Sequence, residues 1–91
     1  MGDLTVSDFA EGQEYAVPVS GGTVTLSLDR VQVLEQAMRA GGGFRLEFCG
    51  PADPVLPQAT YSFAGQGETK DIFIVPIGRD AGATRYEAIF I

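Results

Sequence analysis

Six consecutive apolar residues, Ile72-Phe73-Ile74-Val75-Pro76-Ile77, place the strongest constraint on how this chain can fold. The run falls far short of the roughly twenty residues that cross a bilayer as a helix. In a strand, successive side chains point to opposite faces, so a run this apolar demands cover on both. Pro76 has no N–H to give to a ladder and belongs at an edge, a strand end or a bulge. The expectation is that Ile72 to Val75 lie inside the ladder and that the chain from Pro76 onward leaves it or runs at an edge. A second apolar stretch, Tyr86 to Ile91, follows a Gly-rich connection and pairs alongside, with Ile89 and Ile91 on the phase opposite Tyr86, Ala88 and Phe90. If one phase fills the core, a second layer of the domain or another molecule has to cover the other.

The rest of the chain reads as strands of the same kind. Asp3 to Glu11 offers an N-cap at Ser7 or Asp8, an apolar anchor at Phe9 and a stop at Gly12, which predicts one short N-terminal helical turn. Tyr15 and Val17, then Val24, Leu26 and Leu28, alternate with polar residues around Gly21-Gly22, the pattern of a first hairpin. After Leu28 the parity fails. A bulge near Asp29 restores the inward face and carries the strand to about Leu34, with a helical turn or loop over Glu35 to Ala40; a helix through Val31, Leu34 and Met38 is the competing reading. Phe44, Leu46 and Phe48 alternate cleanly with Arg45, Glu47 and Cys49, and Gly50-Pro51 stops them. Ala52 to Gln58, with Pro54 and Pro57, forms an extended surface connection, and Tyr61 and Phe63 mark a further short strand before Gly65-Gln66-Gly67. Residues 1–91 therefore make one all-β domain of six or seven short, mainly antiparallel strands, a small sandwich or partly open barrel.

Composition narrows the work such a domain can do. The net charge is −6 and the basic residues are spread singly along the chain, so nothing forms the cationic stripe that nucleic acid or an anionic membrane surface requires. There is no histidine and one cysteine, Cys49, which excludes a Ser-His or Cys-His pair and an internal disulfide within the chain. Cys49 reads as a small packing residue. Glu47, Asp71 and Glu87 alternate with apolar neighbours as solvent-facing strand positions do, and Glu47 and Glu87 pair with Arg45 or Arg85 across strands. Gly65-Gln66-Gly67-Glu68-Thr69-Lys70 lacks the residue order of a phosphate loop and reads as a hairpin turn. Asp29, Asp53 and Asp80 stand singly, without the clustering calcium needs. No catalytic, cofactor or metal residues are expected. The N-terminus shows no signal peptide, which points to cytoplasmic synthesis.

The order Gly43-Phe44-x-Leu46-x-Phe48-x-Gly50-Pro51, Gln58-x-Thr60-Tyr61-x-Phe63, Ile72-Phe73-Ile74-Val75-Pro76-Ile77 and Tyr86-Glu87-Ala88-x-Phe90 resembles a family of small bacterial all-β domains of unknown function. The resemblance covers the C-terminal half well and the first half loosely, and it brings no catalytic residues. It implies relatives near genes for phage-tail-like or filament-like assemblies. The function expected is a non-enzymatic structural or protein-interaction domain, a subunit or accessory component of a larger assembly that could incorporate it into a particle. Its partner would be another protein or a second copy, bound through Tyr61, Tyr86, Ile89 and Ile91 or by strand addition at an open sheet edge. The alternative is a small-molecule-binding barrel or sandwich, lined by aromatic residues that otherwise fill the core.

Overall fold

Period-two alternation gives, among the described residues, six strands: β1 (Glu14–Val19), β2 (Gly22–Leu34), β3 (Gly43–Pro51), β4 (Ala59–Gly65), β5 (Glu68–Asp80) and β6 (Ala83–Phe90). The computed structural model describes residues 8–34, 43–65, 67–80 and 82–90. All pairings are antiparallel, and the order β1-β2-β3-β6-β5-β4 closes into a barrel. A closed barrel replaces the sandwich or partly open barrel expected from the sequence, because the β3–β6 pairing brings β4 round against β1. Gly21 takes a φ of 89° in the two-residue turn that joins β1 to β2, a conformation that favours glycine. The expected bulge near Asp29 is present as a register shift between Leu28 and Arg30, and β2 runs on to Leu34. The segment Glu35 to Ala40 lies outside the described residues.

The interior is rich in aromatic side chains. Tyr15, Phe44, Phe48, Phe63 and Tyr86 are fully buried among Leu26, Leu28, Leu46, Ile72 and Ile74. Phe48 sits 4.9 Å from Phe63 and 6.1 Å from Tyr15 between ring centroids, contacts that add to simple area burial. One barrel end is closed by Phe9, whose ring lies 5.7 Å from Phe44 and 6.1 Å from Phe90. Lys70 buries its stem there, with Nζ 5.9 Å from the Phe9 ring centroid and 3.9 Å from Glu68.

Two sequence expectations are corrected. The N-terminal helical turn is not supported: residues 1–7 lie outside the described ones, and no helix element occurs among those that are described. Phe9 is the expected anchor, but Gln13 ties the chain that follows into a tight turn. Its N–H donates to the Ala10 carbonyl at 3.2 Å and its Oε1 accepts from the Ala10 N–H at 3.1 Å. The second correction concerns Pro76, which neither ends the ladder nor marks an edge. β5 continues to Asp80 with Pro76 opposite Tyr86, and a register shift between Pro76 and Gly78 absorbs the irregularity.

Closure runs along the seam between β1 and β4. Gln13 accepts from the Leu28 N–H at 2.8 Å, so odd residues along β1 present their backbone groups to β2 and even ones to β4. Among the described residues Ala16 pairs with Ala64. The next even residue, Pro18, has no N–H to donate across the seam. Beyond it the strands part, and residues 52–58 fill the end of the barrel with Leu56, which is buried and donates its N–H to the Tyr86 hydroxyl at 2.8 Å.

Candidate interaction surface

The alternation that buries Ile72 and Ile74 turns Phe73 and Val75 outward on β5. Phe73 is 51% exposed, Val75 is half-buried, and Ile77, the extra residue at the β5 register shift, is 45% exposed. Val75 lies opposite Glu87 on β6, and Ile89, two residues further along the same phase of β6, is itself 51% exposed. The result is an apolar strip along the outside of the barrel. Thr60 on β4 flanks Phe73 on one side, and Arg45 on β3 flanks Ile89 on the other.

A charged network borders the strip. Glu47 and Glu87 stand directly opposite each other on β3 and β6, a like-charge arrangement that would destabilise the sheet if left alone. Arg45 bridges them, donating to both carboxylates, and Arg85 donates to Glu47 at 3.0 Å and to Asp29 at 2.6 Å. This places Arg45 and Arg85 where the sequence expected them, as registry pairs. The Arg45 and Arg85 hydrogen bonds hold the Glu47 carboxyl below its usual range, which favours its charged form. Asp29 and Glu47 hold the Arg85 guanidinium still more firmly in its charged form.

This network gives the domain a pH-dependent stability of definite sign. A carboxyl whose folded pKa is depressed stabilises the fold above its unfolded value and loses that contribution as pH falls through the folded one. The melting temperatures of wild type and Glu47→Gln are therefore expected to differ most at neutral pH. They should converge below about pH 4.5, the unperturbed carboxyl value. A gap that persists unchanged to pH 2 would contradict the ion-pair account.

The residues expected to form an interaction surface are not brought together. Ile89 is on the strip. Tyr86 is fully buried, and Tyr61 is half-buried with its hydroxyl donating to the Pro57 carbonyl at 2.8 Å, so each hydroxyl has the partner it needs. Burial holds the Tyr61 phenol above its usual pKa, aided by Tyr86. Ile91 lies outside the described residues. Phe73 and Ile77 were not singled out, although the signal was in the sequence: a strand apolar on both phases leaves one phase to be covered. Among the described residues no second layer covers it. Cys49 is a free, half-buried thiol on the polar phase of β3.

A shallower groove of about 310 Å³ opens where the seam parts, lined by Val19, Ser20, Pro54, Val55, Leu56 and Tyr61 among others. Its lining carries no carboxylate, guanidinium or ammonium.

Barrel and surface together define the class: a small, closed antiparallel β-barrel of six strands among the described residues, with an apolar strip on its outer face. The chain belongs to the family described as Domain of unknown function (DUF6916), whose model matches residues 4–90. No curated protein and no solved structure matches it.

Proposed function

We propose that this domain is a non-enzymatic structural or protein-interaction module, a subunit or accessory component of a larger bacterial or phage-tail-like assembly. The observation that carries the reading is the strip Phe73-Val75-Ile77 with Ile89, left exposed on a barrel whose outward residues Arg45, Glu47, Arg85 and Glu87 are charged and mutually paired. Exposed apolar patches rimmed by polar groups mark interaction sites. Closure shifts the mode of contact: a closed sheet docks through its outer face, where an open one would accept a strand at its edge.

Phe73→Ser combined with Ile89→Ser tests this. Both side chains are half exposed, so the double variant is expected to keep the wild-type melting curve within a few degrees while losing, in affinity capture from the host followed by quantitative mass spectrometry, the proteins retained by wild type. Capture of the same proteins by both forms, or of none by wild type together with a strictly monomeric state, would sink the reading. The small-molecule alternative rests on the groove beside Tyr61, whose volume stands at the lower end for ligand pockets.

A further inference from the structure

Closure is complete in the order of the strands but not along the whole of β5. Its ladder with β6 runs from Asp80 opposite Ala83 to Val75 opposite Glu87, and among the described residues no pair continues it. From Glu68 to Ile74, β5 is registered with β4 alone, and Ile89 on β6 is registered with β3 alone. Gly65 and Glu68 flank the two-residue connection of the β4–β5 hairpin, so these two exchange both ladder hydrogen bonds. Counting by twos from there, Lys70, Ile72 and Ile74 direct their N–H and C=O groups to β4, while Asp71 and Phe73 turn theirs to the side where the ladder has lapsed. The same count from Ala83, opposite Asp80, turns those of Ile89 toward it from β6. Phe9 seals the interior behind this interval: it is buried, with its ring 6.1 Å from that of Phe90 and 5.9 Å from Lys70 Nζ.

We infer that this interval is an edge that takes up an extended segment of another protein, added beside Phe73 as a further strand, and that the segment carries a lysine or arginine two residues from the apolar side chain that meets Phe73. The inference rests on the reading of the strip as an interaction surface and names its partner's chemistry. The backbone groups of Asp71 and Phe73 supply the ladder bonds, and the exposed side chains of Phe73 and Ile89 supply apolar contact on the outer face of the added strand. Asp71 fixes the charge. It is the next outward residue along β5 from Phe73, it is exposed, and among the described residues its carboxylate accepts a 3.2 Å hydrogen bond from the neutral Ser62 hydroxyl, with no cation beside it. Glu47 and Glu87, by contrast, are already paired with Arg45 and Arg85. Opposite charges set directly across two strands stabilise the pairing and like charges destabilise it, so a cation opposite Asp71 accompanies the apolar residue opposite Phe73. Residues 1–7 of this chain contain Asp3 and no lysine or arginine, and a second copy brings a further net charge of −6, so charge selects a different protein.

Amide hydrogen exchange, read residue by residue by NMR, tests the edge in the isolated chain. The Asp71, Phe73 and Ile89 amides are expected to exchange at least about a hundredfold faster than those of Ile72 and Ile74. The probe for the partner is a synthetic peptide with blocked ends, Thr-Val-Thr-Val-Thr-Lys-Thr, titrated to about 5 mM; it is expected to slow exchange at Asp71 and Phe73 and to shift their resonances. The same peptide with glutamate in place of the lysine should bind about tenfold more weakly, and Asp71→Lys should reverse that preference. Slow exchange at Asp71 and Phe73 in the isolated chain overturns the inference, because the chain itself then fills the edge. So does a lysine peptide that fails to bind, binding that leaves those two amides unprotected, or binding indifferent to the charge. If the edge is protected and Phe73→Ser with Ile89→Ser still loses the proteins that wild type captures, strand addition is overturned and the interaction reading stands, through side-chain contact on the outer face.

Discussion

A Phe48→Ala variant is expected to lose about 3–5 kcal/mol of stability, the range for truncating a buried phenylalanine whose site cannot collapse. Phe48 is wholly buried at the centre of β3, facing Leu28 on β2 and Tyr86 on β6, with the Phe63 ring 4.9 Å away and Tyr15 meeting it edge-on. A closed barrel holds these neighbours on four different strands, so none can move in without breaking its own ladder. A domain of this size has roughly 5–15 kcal/mol in total. The melting temperature should fall by about 12–40 °C, given roughly 4–8 °C per kcal/mol for a domain this small. Thermal and urea melts followed by circular dichroism check it. The outcome also bears on function: a barrel whose interior serves as a ligand cavity would tolerate the truncation, and a loss under about 1 kcal/mol would favour the small-molecule alternative over a packed core.

Phe48 and Phe73 show what the sequence could and could not disclose. Both are phenylalanines in alternating strands. Around Phe48 the neighbours Arg45, Glu47 and Cys49 mark the opposite phase as outward, so its burial was legible, and so were the first hairpin and the bulge at Asp29, where parity visibly fails. Around Phe73 both phases are apolar, and period two alone does not say which one faces in. That is decided by strand pairing: Tyr61 opposite Ile72 and Lys70 opposite Phe63 commit the even residues of β5 to the interior. Lys70 itself contradicts simple patterning, since a lysine at an inward position is buried at the barrel end beside Phe9. Pro54 and Pro57 exclude a strand around Leu56 and give that segment the pattern of a surface connection, and nothing local reveals that Leu56 plugs the barrel. Pro76 departs from the sequence expectation for a related reason. A proline is excluded from a regular ladder, but a register shift one residue later supplies the bulge that admits it. Closure was illegible because the seam pair among the described residues, Ala16 with Ala64, is made by residues with no distinguishing chemistry.

That pair makes the second large effect a test of closure itself. In Gly65→Ala the new Cβ would stand 2.8 Å from the Glu14 carbonyl oxygen and 2.9 Å from the Tyr15 ring. The oxygen belongs to the β1 backbone, and Tyr15 is fully buried with its hydroxyl donating to Gln13 Oε1 at 2.7 Å, so neither yields without drawing β1 away from β4. Overpacking of this kind costs about 1–3 kcal/mol, which corresponds to a fall of roughly 5–20 °C in melting temperature. Gly78→Ala serves as the control, because its Cβ would meet nothing within 4 Å and its backbone lies outside the left-handed region; it should stay within about 0.5 kcal/mol of wild type. Amide exchange distinguishes a local opening from a general loss of packing, since the Ala64 amide should speed up in Gly65→Ala by more than the global change in stability explains. If Gly65→Ala were as neutral as Gly78→Ala, the seam would be yielding freely and β4 would be available as an edge. Strand addition would then compete with the outer strip as the way this barrel meets its partner.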